Sequence, residues 1–249
     1  MRQTRREFID NFTRGINAIS EDARDRLASA LERIDWTQDV AAVREATVAI
    51  MQACCAEATD TVAMLAAEFY DGLREIELGE RMGALAASGR DPAATEGAVR
   101  AFAQDLVDGR QDAFVARCLD RVDYECKVAA TQTCLGNARA DRRKPKFARV
   151  PSGSETCDYC LMLASRGFVF ASEQTASHAH AGCDCRVVPS WNAFRVQGYD
   201  PDALYDEWQD AIDQKARERA ERKGTDVESE RRAIYRTYAE SARKARKRH

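Results

Sequence analysis

The chain has 249 residues, of which 45% are hydrophobic and 32% are charged, and its net charge at pH 7 is −3. This length and composition allow one large domain or two, with a sizeable core. Five prolines and 13 glycines are few and, together with the high charged fraction, favour a mostly helical protein. No window approaches roughly 18 uninterrupted apolar residues, so we expect no membrane-spanning segment.

The charge is distributed unevenly along the chain. Residues 214–249 contain 13 lysines and arginines against 6 acids, a net charge of +7, which leaves −10 for the residues before them. The basic start, residues 1–8, lacks the apolar run and the cleavage site of a signal peptide. The cysteines number nine, which is odd. We therefore expect a protein that is made and kept in a reducing cytoplasm, without a disulfide framework.

The first part of the chain has the spacing of amphipathic helices. Apolar residues recur every three or four positions in residues 8–34, on one helix face. Thr37 is the predicted N-cap of a second helix, which runs from residue 40 towards residue 75. Asp91 and Pro92 predict a third helix start, because the Asp carboxylate accepts backbone amides and proline fits the first helical position.

A fourth helix is predicted from about residue 111 to residue 135. It carries Cys118, Val122 and Cys126 at intervals of four, which is the spacing of one helix face. A thiol in such a position behaves as a small hydrophobe, so we interpret these cysteines as core residues. Residues 1–135 are therefore predicted to form a helical bundle.

The composition changes at Gly136. Pro145 and Pro151 forbid a continuous helix through residues 136–153, so we place a domain boundary there and predict a basic linker. Its basic residues are Arg139, Arg142, Arg143, Lys144, Lys146 and Arg149. Two interpretations of these charges stay open, a solvated linker and a contact with nucleic acid or a protein partner.

Residues 157–185 contain four of the nine cysteines and two of the three histidines. Thiolate and imidazole are the ligands of a tetrahedral zinc site, and a C-x-x-C turn places two sulfurs on one side of a metal. The candidate ligands are Cys157, Cys160, His180, Cys183 and Cys185, with His178 beside the metal or on the surface. These six donor residues exceed the four coordination positions of a tetrahedral zinc ion, so the sequence does not determine which of them are ligands. Small buried cysteines or a redox pair are the alternatives to a structural Zn²⁺.

The segment around these cysteines predicts a small α+β module at residues 154–191. We expect a strand at residues 147–151 before it, a short helix at residues 161–165 that ends at Gly167, and a strand-like stretch at residues 168–170. Residues 186–188 are predicted to pair with that stretch. Such a module has too little core to be stable alone, and a structural zinc ion would supply the missing folding energy.

The last segment, residues 192–249, reads as a helical basic tail. Its final basic run has no acidic residue beside it and is the candidate nucleic-acid contact through phosphates, without sequence preference. The residues are Arg243, Lys244, Arg246, Lys247 and Arg248. The alternative is a solvated helix whose glutamates neutralise part of the charge. The predicted fold is mainly α: an N-terminal helical bundle, a zinc-stapled α+β module and this tail.

The cysteine segment resembles the C-terminal signature of the Mu F-like head morphogenesis family of bacteriophage minor head proteins. The matching pieces are the Cys157–Cys160 pair, Gly167, and the run from His180 to Arg186. In that run, Ala-Gly stands where the family usually has Pro-Asn, and Asp184 stands where it has Arg. The resemblance covers roughly residues 147–191. The helical first part is similar to the family in character but carries no specific motif.

The resemblance implies a phage or prophage virion component. Such a protein lies inside the head near the portal vertex, is made in the host bacterial cytoplasm, and aids head assembly and DNA packaging or delivery. Its partners would be the portal, contacted through the helical bundle, other head proteins, and DNA without sequence preference, with no membrane.

Enzyme classes with zinc are weighed against this expectation. A zinc deaminase needs H-x-E and then P-C-x-x-C, yet no histidine precedes Cys157 and Thr156 stands at the proline position. The H-E-x-x-H motif of zincins is absent. We predict a protein that is not an enzyme. The alternative is a zinc-containing nucleic-acid-binding protein of a mobile element, or an HNH-like nuclease with His178 as its base.

Overall fold

The computed structural model of the chain describes residues 4–153, 156–170, 185–192 and 196–247, with side chains up to residue 240. Its described part is mainly helical and contains one two-stranded antiparallel ribbon, which confirms the predicted helical class. The described elements in chain order are α1 (Arg5–Leu31), α2 (Val40–Leu78), α3 (Pro92–Phe102), α4 (Gln104–Val107), α5 (Gln111–Ala140), β1 (Lys146–Pro151), α6 (Asp158–Ala164), β2 (Cys185–Ser190), α7 (Pro201–Lys223) and α8 (Val227–Lys247).

Helix starts in the bundle follow capping chemistry. Asp91 accepts a backbone N–H of α3 at 3.0 Å, and Pro92 occupies the first turn, as predicted. The predicted cap of α2 was wrong: Asp39 accepts a first-turn N–H at 2.9 Å, whereas Thr37 lies outside the helix. Thr37 lies two residues before the cap, where its hydroxyl donates to Asp35 at 2.6 Å.

The predicted cysteine face of α5 is confirmed as core. Cys118, Val122 and Cys126 are all fully buried against α1 and α2. Burial raises the pKa of the Cys118 and Cys126 thiols to about 12, because an anion without solvent is disfavoured there. These thiols therefore act as small apolar groups rather than as reactive ones.

Helix α2 is the central helix of the bundle. By length and composition alone it contains a stretch apolar enough to cross a membrane, with a mean hydropathy of 1.3. The test for uninterrupted apolar runs missed this stretch because scattered polar residues break it. The core helix of a bundle passes the same composition test, and α2 packs against α1, α3 and α5.

The two strands form an antiparallel ribbon in which Pro151 lies opposite Cys185 and Lys146 lies opposite Ser190. The predicted pairing of residues 168–170 with residues 186–188 was wrong. Phe170 instead makes an isolated bridge with Phe147 in β1, so β1 lies between the two segments. Pairing with β1 leaves all six residues of β2 buried.

Asp141, directly after α5, is the centre of a buried polar cluster. Its carboxylate accepts hydrogen bonds from Tyr70 at 3.1 Å, from Arg74 Nε at 3.0 Å and from Trp191 Nε1 at 3.0 Å. The backbone N–H of Arg143 donates to its other oxygen at 2.8 Å. The cluster therefore joins α2, the end of α5 and the residue that follows β2.

Glu77, near the end of α2, is the second buried anchor, with a side chain that is 1% exposed. It accepts from the Ser190 hydroxyl at 3.0 Å and from the backbone N–H groups of Trp191 at 2.7 Å and Asn192 at 3.0 Å. Arg5 Nε lies 3.3 Å from the same carboxylate and offsets its charge. The end of β2 is thus held on the bundle by two carboxylates.

The segment predicted as a basic linker, residues 136–153, contains the last turn of α5 and all of β1. Among the described residues, the main cluster of buried apolar side chains runs from Ile9 in α1 through Phe147 in β1 to Ile234 in α8. The division at residues 1–135, 136–153, 154–191 and 192–249 stays a prediction.

Helices α7 and α8 form an antiparallel hairpin. Gly224 ends α7 in the left-handed conformation, at φ +67°, where a side chain would be strained. The indole ring of Trp208 in α7 lies 5.6 Å from the ring of Tyr235 in α8, edge to face. Helix α7 also packs on α6, which places the hairpin against the cysteine segment.

Replacing Asp141 with Asn should lower the free energy of unfolding at neutral pH by about 2–3 kcal/mol, because buried Arg74 loses a charged partner. Burial raises the pKa of Asp141, but its hydrogen bonds outweigh this and hold that pKa below its ordinary value. The ionised carboxylate therefore stabilises the fold above the pKa of an unfolded Asp, about 3.9, and this contribution is lost as pH falls through the lower folded pKa.

Urea denaturation of both proteins between pH 3 and pH 7 measures this effect, with the difference shrinking below roughly pH 4. Asp25→Asn on the exposed face of α1 is the control and should change stability by less than about 0.5 kcal/mol. Equal stability of wild type and Asp141→Asn at pH 7 would show that the cluster does not anchor the ribbon.

Candidate metal centre

The C-x-x-C pair lies at the start of α6. Cys157 is the N-cap residue and is exposed, whereas Cys160, three positions on, is fully buried. The predicted helix at residues 161–165 in fact begins at Asp158, so the cysteine turn and the helix start coincide. This arrangement places both sulfur-bearing residues in one helical turn.

Cys160 and Cys185 come into contact and are both buried, at 0% and 4% exposure. The fold therefore brings together one cysteine from each half of the predicted ligand set. His178, His180 and Cys183 lie outside the described residues. Within the described ranges, no group of three Cys, His, Asp or Glu side chains is placed to hold a metal ion.

Arg149 in β1 contacts this cysteine pair. Its Nη2 donates to Cys185 Sγ at 3.0 Å, and the whole residue is 1% exposed. The sequence suggested either a solvated linker or a contact with nucleic acid or a protein partner at this position, so the burial of Arg149 within the protein was missed. The sequence does contain a signal for this burial: Arg149 lies within the short, mostly apolar stretch Phe147–Val150, which is typical of a buried strand. The structure shows that these four residues are buried in β1.

The two residues between the cysteines hold the C-terminal hairpin. Asp158 Oδ2 accepts from Lys215 Nζ in α7 and from the Tyr238 hydroxyl in α8, the latter at 3.2 Å. The Tyr159 ring lies 6.0 Å from the Tyr238 ring. Burial raises the pKa of the Asp158 carboxyl, but the bonds from Lys215 and Tyr238 hold it below its ordinary value. These contacts could not be predicted from the sequence, because they join residues 57 and 80 positions apart.

The candidate nucleic-acid residues lie at the far end of this hairpin. The backbone of α8 continues to Lys247, which confirms helix as far as that residue. The side chains of Arg243, Lys244, Arg246 and Lys247 lie beyond the described side chains, and Arg248 lies outside the described residues. Elsewhere on the hairpin, Arg217, Arg222 and Arg236 are exposed.

A groove of about 430 Å³ lies between α1 and α2, on the bundle. Phe12 and Phe69 stack in it with ring centroids 3.9 Å apart. Exposed Glu68 and Arg81, which form an ion pair, lie at its edge. The groove thus adds an apolar surface that the sequence did not predict.

Residues 3–211 match the VG15 protein family, a span that includes the bundle, the ribbon and the first half of α7. The Gene 15 protein of Mycobacterium phage D29 is 31% identical over 159 aligned residues, which cover 45% of this chain and 56% of that protein. The chain thus spans about half the length of this relative. No solved structure matches the chain. The two matches support a phage protein family, and neither is specific to the Mu F-like group.

Proposed function

The chain belongs to the VG15 protein family, and on this basis we propose that it is a minor head protein of a phage or prophage. It is made in the bacterial cytoplasm and becomes part of the virion, inside the head near the portal vertex. There it aids head assembly and DNA packaging or delivery, with the portal and other head proteins as partners. The family match over residues 3–211 carries this proposal. The phage relative and the Mu F-like cysteine pattern support it.

The described carboxylates with shifted pKa values all shift in one direction. Every described carboxylate with a shifted pKa is shifted downwards, Asp141 and Asp158 among them, because hydrogen bonds from hydroxyl groups, backbone amides and cations hold the ionised form. General acids need the opposite shift, towards neutral pH. The described ranges contain no histidine. The HNH-like nuclease alternative therefore depends on His178 alone.

Deleting the gene from the phage or prophage that encodes this chain tests the role. We expect the yield of DNA-filled heads, counted by electron microscopy, to fall sharply, and expression of the chain from a plasmid to restore it. Mass spectrometry of purified wild-type virions should detect the chain. Full heads at normal yield without the gene, and virions that lack the chain, would contradict the proposal. DNA cleavage by the purified protein that His178→Ala abolishes would favour the nuclease.

We further propose that the cysteine module holds one structural Zn²⁺. Its ligands are Cys157, Cys160 and two or more of His180, Cys183 and Cys185. The contact between Cys160 and Cys185 supports this, because thiolates suit zinc and the two halves of the ligand set already meet. The metal would supply folding energy to the ribbon and α6, which are small.

Elemental analysis of the protein purified under reducing conditions should find one zinc per chain. Cys160→Ser should release the metal and unfold the module while the bundle keeps its helical circular dichroism, because a hydroxyl is a poor zinc ligand. Cys134→Ser is the matched control, since Cys134 is equally buried but lies in α5, and it should keep the metal. A wild-type protein without zinc would contradict the proposal.

The tail proposal is that residues 243–248 contact DNA through phosphates. Six phosphate contacts, from its five basic residues and one upstream arginine, predict a log–log salt slope of roughly −5 for duplex binding, without sequence preference. Deleting residues 243–249 should weaken binding sharply in a fluorescence anisotropy titration and leave portal association unchanged. Should the truncated protein bind as tightly, the contact must lie elsewhere. The exposed basic residues near the end of α5 are then the next candidates.

A further inference from the structure

Arg149 is a buried cation at the centre of the cysteine segment. It is 1% exposed, and burying a guanidinium is costly unless anionic or strongly polar acceptors surround it. Its Nη2 lies 3.0 Å from Cys185 Sγ, and Cys185 packs against Cys160. The charge of Arg149 also acts on Tyr159, the residue next to Cys160, where it opposes the increase in pKa that burial causes.

The pleat of the ribbon explains why Arg149 reaches the cysteines. Arg149 lies opposite Val187 and Pro151 lies opposite Cys185, so the side chains of Arg149 and Cys185 are diagonal neighbours on one face. The other buried arginine of the ribbon, Arg186, lies on the opposite face. Its Nη2 donates to Asn17 Oδ1 of α1 at 2.9 Å. The ribbon thus presents one buried arginine to the thiols and one to the bundle.

We propose that Arg149 is a positioning residue of the metal centre: it fixes Cys185 by an N–H···S hydrogen bond and offsets the negative charge of the zinc–thiolate group. The inference rests on the proposed zinc site. Three or more thiolates around a divalent cation leave a net negative charge, which a buried site must compensate. A guanidinium donates more strongly to a thiolate than to a neutral group. The metal-loaded form therefore gains more from Arg149 than the metal-free form does.

Four versions of the full chain test this inference: wild type, Arg149→Met, Arg149→Lys and Arg186→Met. Zinc affinity is measured by competition with a chromophoric chelator, and Co²⁺-loaded protein reports the thiolate-to-metal charge-transfer band. We expect Arg149→Met to bind zinc roughly 10–100-fold more weakly, the usual cost of losing a group that orients a ligand. Its charge-transfer band should shift, because the Cys185 sulfur loses a hydrogen bond.

The two other variants separate this role from simple packing. Arg149→Lys keeps the charge but loses the planar donor group, so we expect an intermediate zinc affinity and a shifted band. Arg186→Met removes the other buried arginine, which donates to Asn17 and, at 3.4 Å, to the backbone carbonyl of Cys185 but not to its sulfur. It should lower thermal stability and change zinc affinity and the Co²⁺ spectrum far less than Arg149→Met does. Zinc binding should raise the melting temperature of Arg149→Met less than that of wild type.

The outcomes distinguish failure of the inference from failure of the zinc proposal. A wild-type chain that binds no zinc overturns both. If Arg149→Lys or Arg149→Met binds zinc as tightly as wild type and its Co²⁺ band does not shift, the proposed role of Arg149 is overturned, while the zinc proposal is not. Equal loss of zinc affinity in Arg149→Met and Arg186→Met also overturns it, because a general loss of ribbon packing then explains both. If circular dichroism shows that Arg149→Met does not fold, the zinc affinity and Co²⁺ band of Arg149→Lys test the role of Arg149 instead.

Discussion

Two buried carboxylates fix where the short ribbon lies on the long helices. Asp141 and Glu77 each lie beside an arginine and accept hydrogen bonds from backbone and side-chain donors, including those of residues 190–192. A carboxylate without these donors would cost several kcal/mol in such a place. The end of β2 therefore has one position relative to α2 and α5. The positions of the later elements follow from the position of β2, as the next contacts show.

The consequences pass from element to element. With its end anchored, β2 pairs with β1 in one register, and this register puts Cys185 and Arg149 on the same face. Cys160 then meets Cys185, which orients α6. Helix α6 in turn presents Asp158 to the α7–α8 hairpin, where Lys215 and Tyr238 donate to it. The hairpin is thus positioned through a series of polar contacts that begins at the bundle.

The sequence predicted what depends on local chemistry. Helical spacing and the Asp91–Pro92 start were read correctly, since each depends on residues within one or two turns. The sequence-based predictions were wrong where a residue's partner is distant along the chain or where two residues compete for one role. Asp39 rather than Thr37 caps α2, because the helix begins at Val40 and Asp39 is the residue directly before it. The partner of β2 could not be foreseen, because strand pairing is decided by tertiary packing. Arg149 was expected either in a solvated linker or in a contact with nucleic acid or a protein partner, since a charged residue is seldom buried without a partner that only the fold supplies.

The contacts of Asp158 give the proposed zinc ion a second effect besides folding energy. A metal that fixes Cys157 and Cys160 also fixes the two residues between them, and these hold Lys215 and Tyr238 of the hairpin. Helix α8 continues past Tyr238 to Lys247, about 14 Å at 1.5 Å per residue. The last turns of α8 therefore belong to a helix whose middle contacts the cysteine turn. The proposed zinc ion would therefore act on the position of α8 as well as on the fold of the cysteine module.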